Sequence, residues 1–500
     1  MNELLPALSQ LFELQPLLLI FLGTSLGIII GAIPGLTGAM LISLTLPLTF
    51  EMSYAHAMIL LVSMYVGSIS GGLITATLLR MPGTPASMVT TLDGYAMTKR
   101  GEPGRALGLG IMASFVGGLI SWLFLLLLAK PMADLSTRLG PFELFSLVLM
   151  ALTLIASVAG ESLLKGTLSG LLGILVAMPG TNLATGELRL TFGFSELNGG
   201  FQLLPVLIGL FAVSQILKDV EEDDSSNKVM PPITAGLILK FRDWLKQGWN
   251  LIRSSILGTW IRILPGIGAN IGSLVSYSAA KTVSKEPDQF GQGSEEGIVA
   301  SEAANNATVG GALIPLISLG IPGSVIDAIL LGALVMHGLQ PGPLLFQNNP
   351  GGEIPVAWTI IATMLVSNCL MFALMLLSVR YLARLARAPK SYLTPVLLVF
   401  CVVGSFALSN RWFDVGVMLA FGVIGSLMER FSIPLAPFVI GFVLGPMAEK
   451  NLTTGLMIYE GSYLPLITRP LSLAFLILAF LMLLLPLWKS RSEKLASLRK

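Results

Sequence analysis

The chain has 500 residues, 54% hydrophobic and 12% charged, with a formal net charge of +2 and a mean hydropathy of +0.82. Soluble domains carry about 25% charged residues, so this composition excludes a soluble protein and leaves no room for a soluble domain of any size. No basic patch is interleaved with aromatics, which argues against a nucleic-acid partner. The two cysteines, Cys369 and Cys401, sit in apolar runs as small hydrophobes, without disulfide or metal-ligand spacing.

The N-terminal segment lacks a basic n-region, so no cleavable signal peptide is expected. Apolar runs suited to crossing about 30 Å of hydrocarbon then follow near 16–49, 56–80, 106–129, 142–159, 164–180, 201–217, 248–280, 307–338, 356–379, 392–409, 413–428, 434–449 and 464–488. Helix-forming residues dominate and ten-residue alternation is absent, which predicts helices and not barrel strands. The expected fold is an all-α polytopic membrane protein of about 12 transmembrane helices.

Lys489, Arg491, Lys494, Arg499 and Lys500 make the tail 489–500 basic, and the positive-inside rule puts it in the cytoplasm. Arg380, Arg384, Arg387 and Lys390 mark a second cytoplasmic loop. No Lys or Arg lies between Lys285 and Arg380, so the turn 341–353, with Asn349 in it, is expected on the periplasmic side.

The two halves resemble each other. LGIIIGAIPG at 26–35 aligns without a gap with LGTWIRILPG at 257–266. Gly71-Gly72, Pro82-Gly83 and the GEPG motif at 101–104 are answered in order by Gly310-Gly311, Pro322-Gly323 and the GLQPG motif at 338–342. This divides the chain into an N-terminal repeat (1–217), a polar cytoplasmic linker (218–247), a C-terminal repeat (248–488) and the tail. Lys99, Arg100 and Arg105 follow the second Pro-Gly of the first repeat, but its counterpart carries no basic residue. Lys281 and Lys285 have uncharged counterparts at 50–54. Equivalent loops therefore carry opposite charge signatures, the pattern of an inverted-topology repeat, which is common in secondary transporters.

Each repeat has two Pro-Gly pairs in apolar sequence: Pro34-Gly35, Pro82-Gly83, Pro265-Gly266 and Pro322-Gly323. Proline removes a backbone donor and glycine weakens helix continuation. Broken backbone within a membrane survives only where protein or a water-filled cavity satisfies it. Half-helices or re-entrant hairpins are expected at these points, with N–H groups able to capture an anion and carbonyls able to hold a cation. A simple proline kink is the alternative.

Small polar residues gather at the breaks. Gly35, Gly83, Thr84, Ser87, Gly266, Asn270, Asn305, Asn306, Gly323 and Ser324 are the candidate substrate residues. Thr37, Ser273 and Thr308 are candidate cation ligands. Helix–helix hydrogen bonding is the competing role for all of them. Arg80 and Arg262, each just before a Pro-Gly, are candidate partners for a substrate charge or members of ion pairs with Asp93 or Asp327. The stripe Gly23, Gly27, Gly31, Gly35 reads as close helix packing. GTSLG at 23–27 matches a hydrolase elbow in letters only, because its setting is an apolar helix.

Gly71-Gly72, the run MPGTPAS at 81–87, Thr91-Leu-Asp-Gly-Tyr95, Glu302-Ala-Ala-Asn-Asn-Ala307 and LGIPG at 319–323 followed by HGLQPGP at 337–343 resemble TctA. TctA is the large membrane subunit of tripartite tricarboxylate transporters. The resemblance implies a non-enzymatic secondary permease in the bacterial inner membrane, without a cofactor, taking up a carboxylate such as citrate. It also implies a small TctB-like membrane subunit, a periplasmic TctC-like solute-binding protein, and a coupling cation, Na+ or alternatively H+. In the family pattern the position of Arg80 is usually neutral and that of Arg262 small, so both depart from it. A channel built on the same repeats is the alternative reading.

Overall fold

The computed structural model describes residues 3–33, 35–158, 162–182, 185–221, 236–264, 269–347, 354–385, 390–407 and 410–482. Pro265, Gly266, Asn349 and the basic tail lie outside the described residues. In the first half, α1 is Leu4–Leu11, α2 Leu14–Gly31, α3 Gly38–Thr45, α4 Tyr54–Leu79, α5 Thr90–Lys99, α6 Pro103–Ser136, α7 Pro141–Val158 and α8 Leu163–Ala177. A short hairpin of β1 (Gly180–Thr181) and β2 (Leu188–Arg189) follows. Then α9 (Leu203–Leu207) runs through a π-helical stretch, Ile208–Val213, into α10 (Ser214–Glu221).

The second half holds α11 (Phe241–Ile263), α12 (Ala269–Val283), α13 (Glu295–Leu319), α14 (Val325–Met336), α15 (Val356–Leu385), α16 (Lys390–Ala407), α17 (Trp412–Arg430), α18 (Leu435–Ile458) and α19 (Pro465–Thr468). An apolar helix, α20, covers Pro470–Met482. The expected polar stretch 218–247 is partly helical, since α10 runs into it and α11 starts within it.

Among the described residues, α2, α4, α6, α17 and the Val356–Leu382 part of α15 are long and apolar enough to cross a membrane singly. Shorter apolar helices fill in around them, among them 38–49, α8, α14 and 394–407. The chain is a multi-pass helical membrane protein. Several of the long apolar runs in the sequence hold two helices each: α2 and α3, α11 and α12, α13 and α14.

At the centre stand α4 and α13. The apolar window of α4 is 100% buried, and α13 is buried from Gly297 to Ser318. A helix apolar or small on all sides belongs where protein surrounds it. Helix α4 packs on α2 and α15, and α13 packs on α11 and α6.

Glycines set how closely these helices approach. A Cβ on Gly27 would stand 2.5 Å from the Met64 carbonyl oxygen, and one on Gly71 would strike the Ile28 carbonyl. The second half repeats the arrangement: a Cβ on Gly258 would stand 2.5 Å from the Ala304 carbonyl oxygen, and one on Gly311 2.6 Å from that of Thr259. Close backbone approach through small residues is how membrane helices associate without a hydrophobic driving force between them.

Candidate functional site

The breaks at Pro82-Gly83 and Pro322-Gly323 are built alike, step by step. Helix α4 ends on Arg80, in the left-handed region at φ 59°, and α13 ends on Gly320 at φ 69°. Past each, an N–H reaches six residues back: Met81 donates to the Thr75 carbonyl, and Ile321 to that of Pro315, both at 3.3 Å. This is the closure that ends a helix in a Schellman motif. Two residues on come Gly83 and Gly323, then the caps Thr84 and Ser324.

Thr84 and Ser87 form a reciprocal capping box. The Ser87 N–H donates to Thr84 Oγ1 at 3.3 Å and the Thr84 N–H to Ser87 Oγ at 3.1 Å. Ser324 accepts from the Asp327 N–H at 3.3 Å and donates to Asp327 Oδ2 at 2.7 Å. Among the described residues, the N–H groups of Gly83 and Gly323 have no hydrogen-bond partner. Each break faces the opposite half: the 3-10 turn Pro85–Met88 packs on α12, and α14 packs on α3, where a Cβ on Gly38 would meet Ile326 Cδ1 at 3.2 Å.

The breaks differ in charge. Arg262 is 1% exposed, and its Nη2 donates to Asp327 Oδ2 at 2.8 Å while Nη1 donates to the Gly323 carbonyl at 2.8 Å. Tyr65 of α4 lies close enough to feel both charges of this pair. Asp327 thus already answers the helix dipole at the α14 N-terminus. The first break holds no carboxylate before Asp93, and Asp93 is committed elsewhere. Its Oδ1 accepts from the N–H groups of Gly291, Gly293 and Ser294, all at 2.8 Å, and its Oδ2 accepts from Tyr277 at 2.7 Å.

The other sequence candidates fall as follows. Arg80 is exposed and makes no ion pair among the described residues. Gly83 is buried so tightly that a Cβ would strike the Gly31 carbonyl and stand 2.7 Å from Gly72 Cα. Gly35 has φ 91°. Thr37 caps α3, accepting from the Met40 N–H at 3.2 Å. Gly266 lies outside the described residues, and Asn270 is exposed on α12. Ser273 is buried, its hydroxyl without a partner. Thr308 donates to the Asn305 carbonyl at 2.5 Å.

Asn305 and Asn306 belong to a buried polar cluster that the sequence reading did not assemble. It joins Ser70 of α4, Thr90 of α5, Ser114 of α6 and Ser301, Glu302, Asn305 and Asn306 of α13. Ser70 donates to Asn306 Oδ1 at 2.6 Å, and Asn306 Nδ2 donates to Ser114 Oγ at 2.8 Å. Glu302, 0% exposed, meets Thr90 Oγ1 at 2.6 Å. An acid within a run of small residues was the available signal for it.

A charged mouth of about 340 Å³ lies where the α5–α6 and α12–α13 loops meet the start of α11, lined by Arg100, Lys246, Lys285, Glu102, Glu286 and Glu295 among others. Beside it Arg105 bridges Asp243 at 2.9 Å and Glu295 at 2.5 Å. The Arg105 hydrogen bond holds the Asp243 carboxyl below the usual carboxylate range. The α14–α15 and α3–α4 loops meet through His337 Nε2 and Thr49 Oγ1 at 3.3 Å.

A polytopic helical protein with paired, capped breaks beside its buried centre has the build of a membrane transport protein. Residues 17–440 match the tripartite tricarboxylate transporter TctA family, and the chain belongs to that family. It is 34% identical over 501 aligned positions, covering 99% of both chains, to an uncharacterised 52.8 kDa protein of the TAR-I ttuC′ 3′ region of Agrobacterium vitis. An uncharacterised protein of the TAR-II ttuC′ 3′ region of the same organism is 33% identical over 237 residues, 47% of this chain and 96% of that one. No solved structure matches.

Proposed function

We propose that this chain is the large permease subunit of a binding-protein-dependent secondary transporter. It takes up a carboxylate, a tricarboxylate such as citrate or a related organic acid, using a cation gradient. A TctB-like small membrane subunit and a periplasmic TctC-like binding protein complete the system in the bacterial inner membrane. The observation that carries this reading is the matched pair of breaks, each with an uncommitted glycine N–H and a hydroxyl cap, each set against the other half.

The two halves are read as inverted repeats. The equivalences α2–α6 with α11–α15 are supported by the glycine contacts, by the Arg80/Gly320 helix ends and by crosswise packing. The charged loop pair gathers Arg100, Arg105, Lys246, Lys281 and Lys285, while the pair at Thr49 and His337 carries no Lys or Arg, as expected of loops on opposite sides.

An anion in a low-dielectric setting needs fixed donors. The first break supplies them without a competing carboxylate: the Gly83 N–H and the Thr84 hydroxyl form the primary carboxylate receptor, and Ser87, whose N–H and hydroxyl both bond Thr84, braces it. Gly35, Asn270, Gly323 and Ser324 are the further candidates for the substrate path, as are Gly266, which lies outside the described residues, and Asn305 and Asn306, which the Glu302 cluster engages. Proteoliposomes containing both membrane subunits, with binding protein and citrate outside, test the reading. Uptake should follow an imposed sodium or proton gradient. Uptake indifferent to both gradients but tracking internal ATP would refute it.

A further inference from the structure

Glu302 has no part in the anion receptor just described. It is fully buried where α13 crosses α5 and α6. Its Oε1 lies 2.6 Å from Thr90 Oγ1, and its Oε2 lies 3.4 Å from both Ser114 Oγ and Asn305 Nδ2. All these partners are neutral, and no ion pair reaches Glu302 among the described residues. The charged and titratable groups on the helices packed against α13 have other engagements. Asp93 on α5 is held by loop amides and by Tyr277 of α12. Lys99 on α5 lies over the Tyr95 ring. Arg105 on α6 pairs with Asp243 of α11 and with Glu295 of α13, and Lys246 of α11 also reaches Glu295. Arg253 on α11 donates to Asn250. Arg262 pairs with Asp327 of α14, with Tyr65 of α4 against them. Lys281 on α12 is exposed.

The hydroxyl contacts around the carboxyl accommodate one more proton. Ser301 Oγ donates to the Ile298 carbonyl at 3.1 Å. Ser301 Oγ and Thr90 Oγ1 are 3.0 Å apart. A hydroxyl has a single proton to donate. With the Ser301 proton on Ile298, that of Thr90 fills the Thr90–Ser301 contact. In that arrangement the short Thr90–Glu302 contact takes its proton from a neutral carboxyl; with Glu302 ionised, Ser301 donates to Thr90 and the Thr90 hydroxyl donates to Oε1. A carboxylate buried with no cation would otherwise carry a heavy desolvation penalty, which neutralisation removes. Asn305 Nδ2 donates to the carboxylate and Asn306 Nδ2 to the Glu302 carbonyl, as suits a carboxyl held by hydrogen bonds, while Asn305 Oδ1 has no partner among the described residues.

We propose that Glu302 is the coupling-ion site and that the ion is a proton, held as the carboxylic acid with its O–H directed at Thr90 Oγ1. Loading forms one O–H bond with a proton taken from water on one side. Unloading breaks that bond, returns the proton to water on the other side and leaves the carboxylate. Glu302 lies in the helix that ends at the second break, so its charge state can bias that break's position. The proposal rests on the reading of the chain as a cation-coupled permease.

The full-length protein in liposomes, as wild type, Glu302→Gln and Thr90→Val, is compared by infrared difference spectroscopy between neutral and alkaline pH, which requires no transport. Citrate is the probe in parallel uptake and counterflow assays with both partner proteins. The wild type should show a carboxylic C=O band that disappears on alkalinisation and is missing from Glu302→Gln. Thr90→Val should keep the band at higher frequency, its O–H having lost an acceptor; this decides the matter if Glu302→Gln fails to fold. Glu302→Gln should retain counterflow but lose at least tenfold in accumulation driven by a pH gradient. A wild-type band left intact by Glu302→Gln overturns the proposal, as does wild-type uptake driven by sodium alone with no response to a pH gradient. Loss of the band with no citrate transport by either protein supports the proton site and counts against the carboxylate reading beneath it.

Discussion

Removing Asp327 should be the most destabilising single change at the second break. Its Oδ2 accepts from Arg262 at 2.8 Å and from Ser324 at 2.7 Å, with both charged side chains almost fully buried. Each hydrogen bond to a charged group contributes about 1.5–3 kcal/mol. Breaking a buried pair from one side costs about 3–5 kcal/mol, because the remaining charge stays buried. Asp327→Ala should therefore lose about 3–5 kcal/mol, and Arg262→Met a similar amount. The double variant Arg262→Met/Asp327→Leu should recover most of it, because well-packed apolar replacements of buried pairs are often neutral or stabilising. Equilibrium unfolding in mixed micelles, followed by tryptophan fluorescence, closes the cycle. A coupling energy of about 2 kcal/mol or more is expected. Additive losses, with coupling under about 0.5 kcal/mol, would refute the pairing and return Arg262 to the candidates for binding a substrate carboxylate.

Single cysteines at Glu51 and Lys285, with Cys369 and Cys401 replaced, should label from opposite sides of the membrane; same-side labelling would remove the inverted repeat. Arg80→Gly should stabilise by about 1 kcal/mol, since a left-handed conformation strains any residue with a Cβ, and should leave substrate affinity unchanged; a drop in affinity would restore Arg80 as a substrate partner. Thr84→Ala should weaken carboxylate binding roughly tenfold, the worth of one hydrogen bond to a charged group, and lose about 1 kcal/mol of stability with the cap. Thr84→Ser should retain both, so equal losses in the two variants would misplace the site. The Asp243 carboxyl is held low by Arg105, so its contribution to stability is present at neutral pH and is lost as pH falls through its folded-state value; Asp243→Asn should remove that part of the acid sensitivity, as read from melting temperature against pH.

The breaks were legible because proline and glycine act on their own backbone. The left-handed end at Arg80 was hidden in the first half, where the letter is Arg, yet open in the second, where Gly320 fills the equivalent place. Long-range pairing was not legible. The sequence offered Asp93 and Asp327 as alternative partners for Arg262, and only the fold separates them, sending Asp93 to the 291–294 loop. Glu302 was missed for a definite reason. The hydropathy boundary drawn at 307 left it outside an apolar run, although α13 begins at Glu295. Small and polar residues such as Asn305, Asn306 and Ser301 depress hydropathy, yet in this setting they line helix contacts at the buried centre.

Two buried carboxyls in one membrane protein have thus met the same penalty in different ways. Asp327 is neutralised by a fixed cation, which is permanent while the fold lasts and suits a structural hinge beside a break. Glu302 has only hydroxyls and amides, so its charge depends on something that can leave. The first break carries no acid between Arg80 and Val89, and in the proposed reading an arriving anion would meet there the Gly83 N–H and the Thr84 cap without displacing a charge. In the proposed reading the fixed pair, the exchangeable site and the uncharged receptor are separate, and the turn Pro85–Met88 packs on both α12 and α13. A change of charge at Glu302 can therefore reach the anion's donors through packed backbone, without contact between the two ligands.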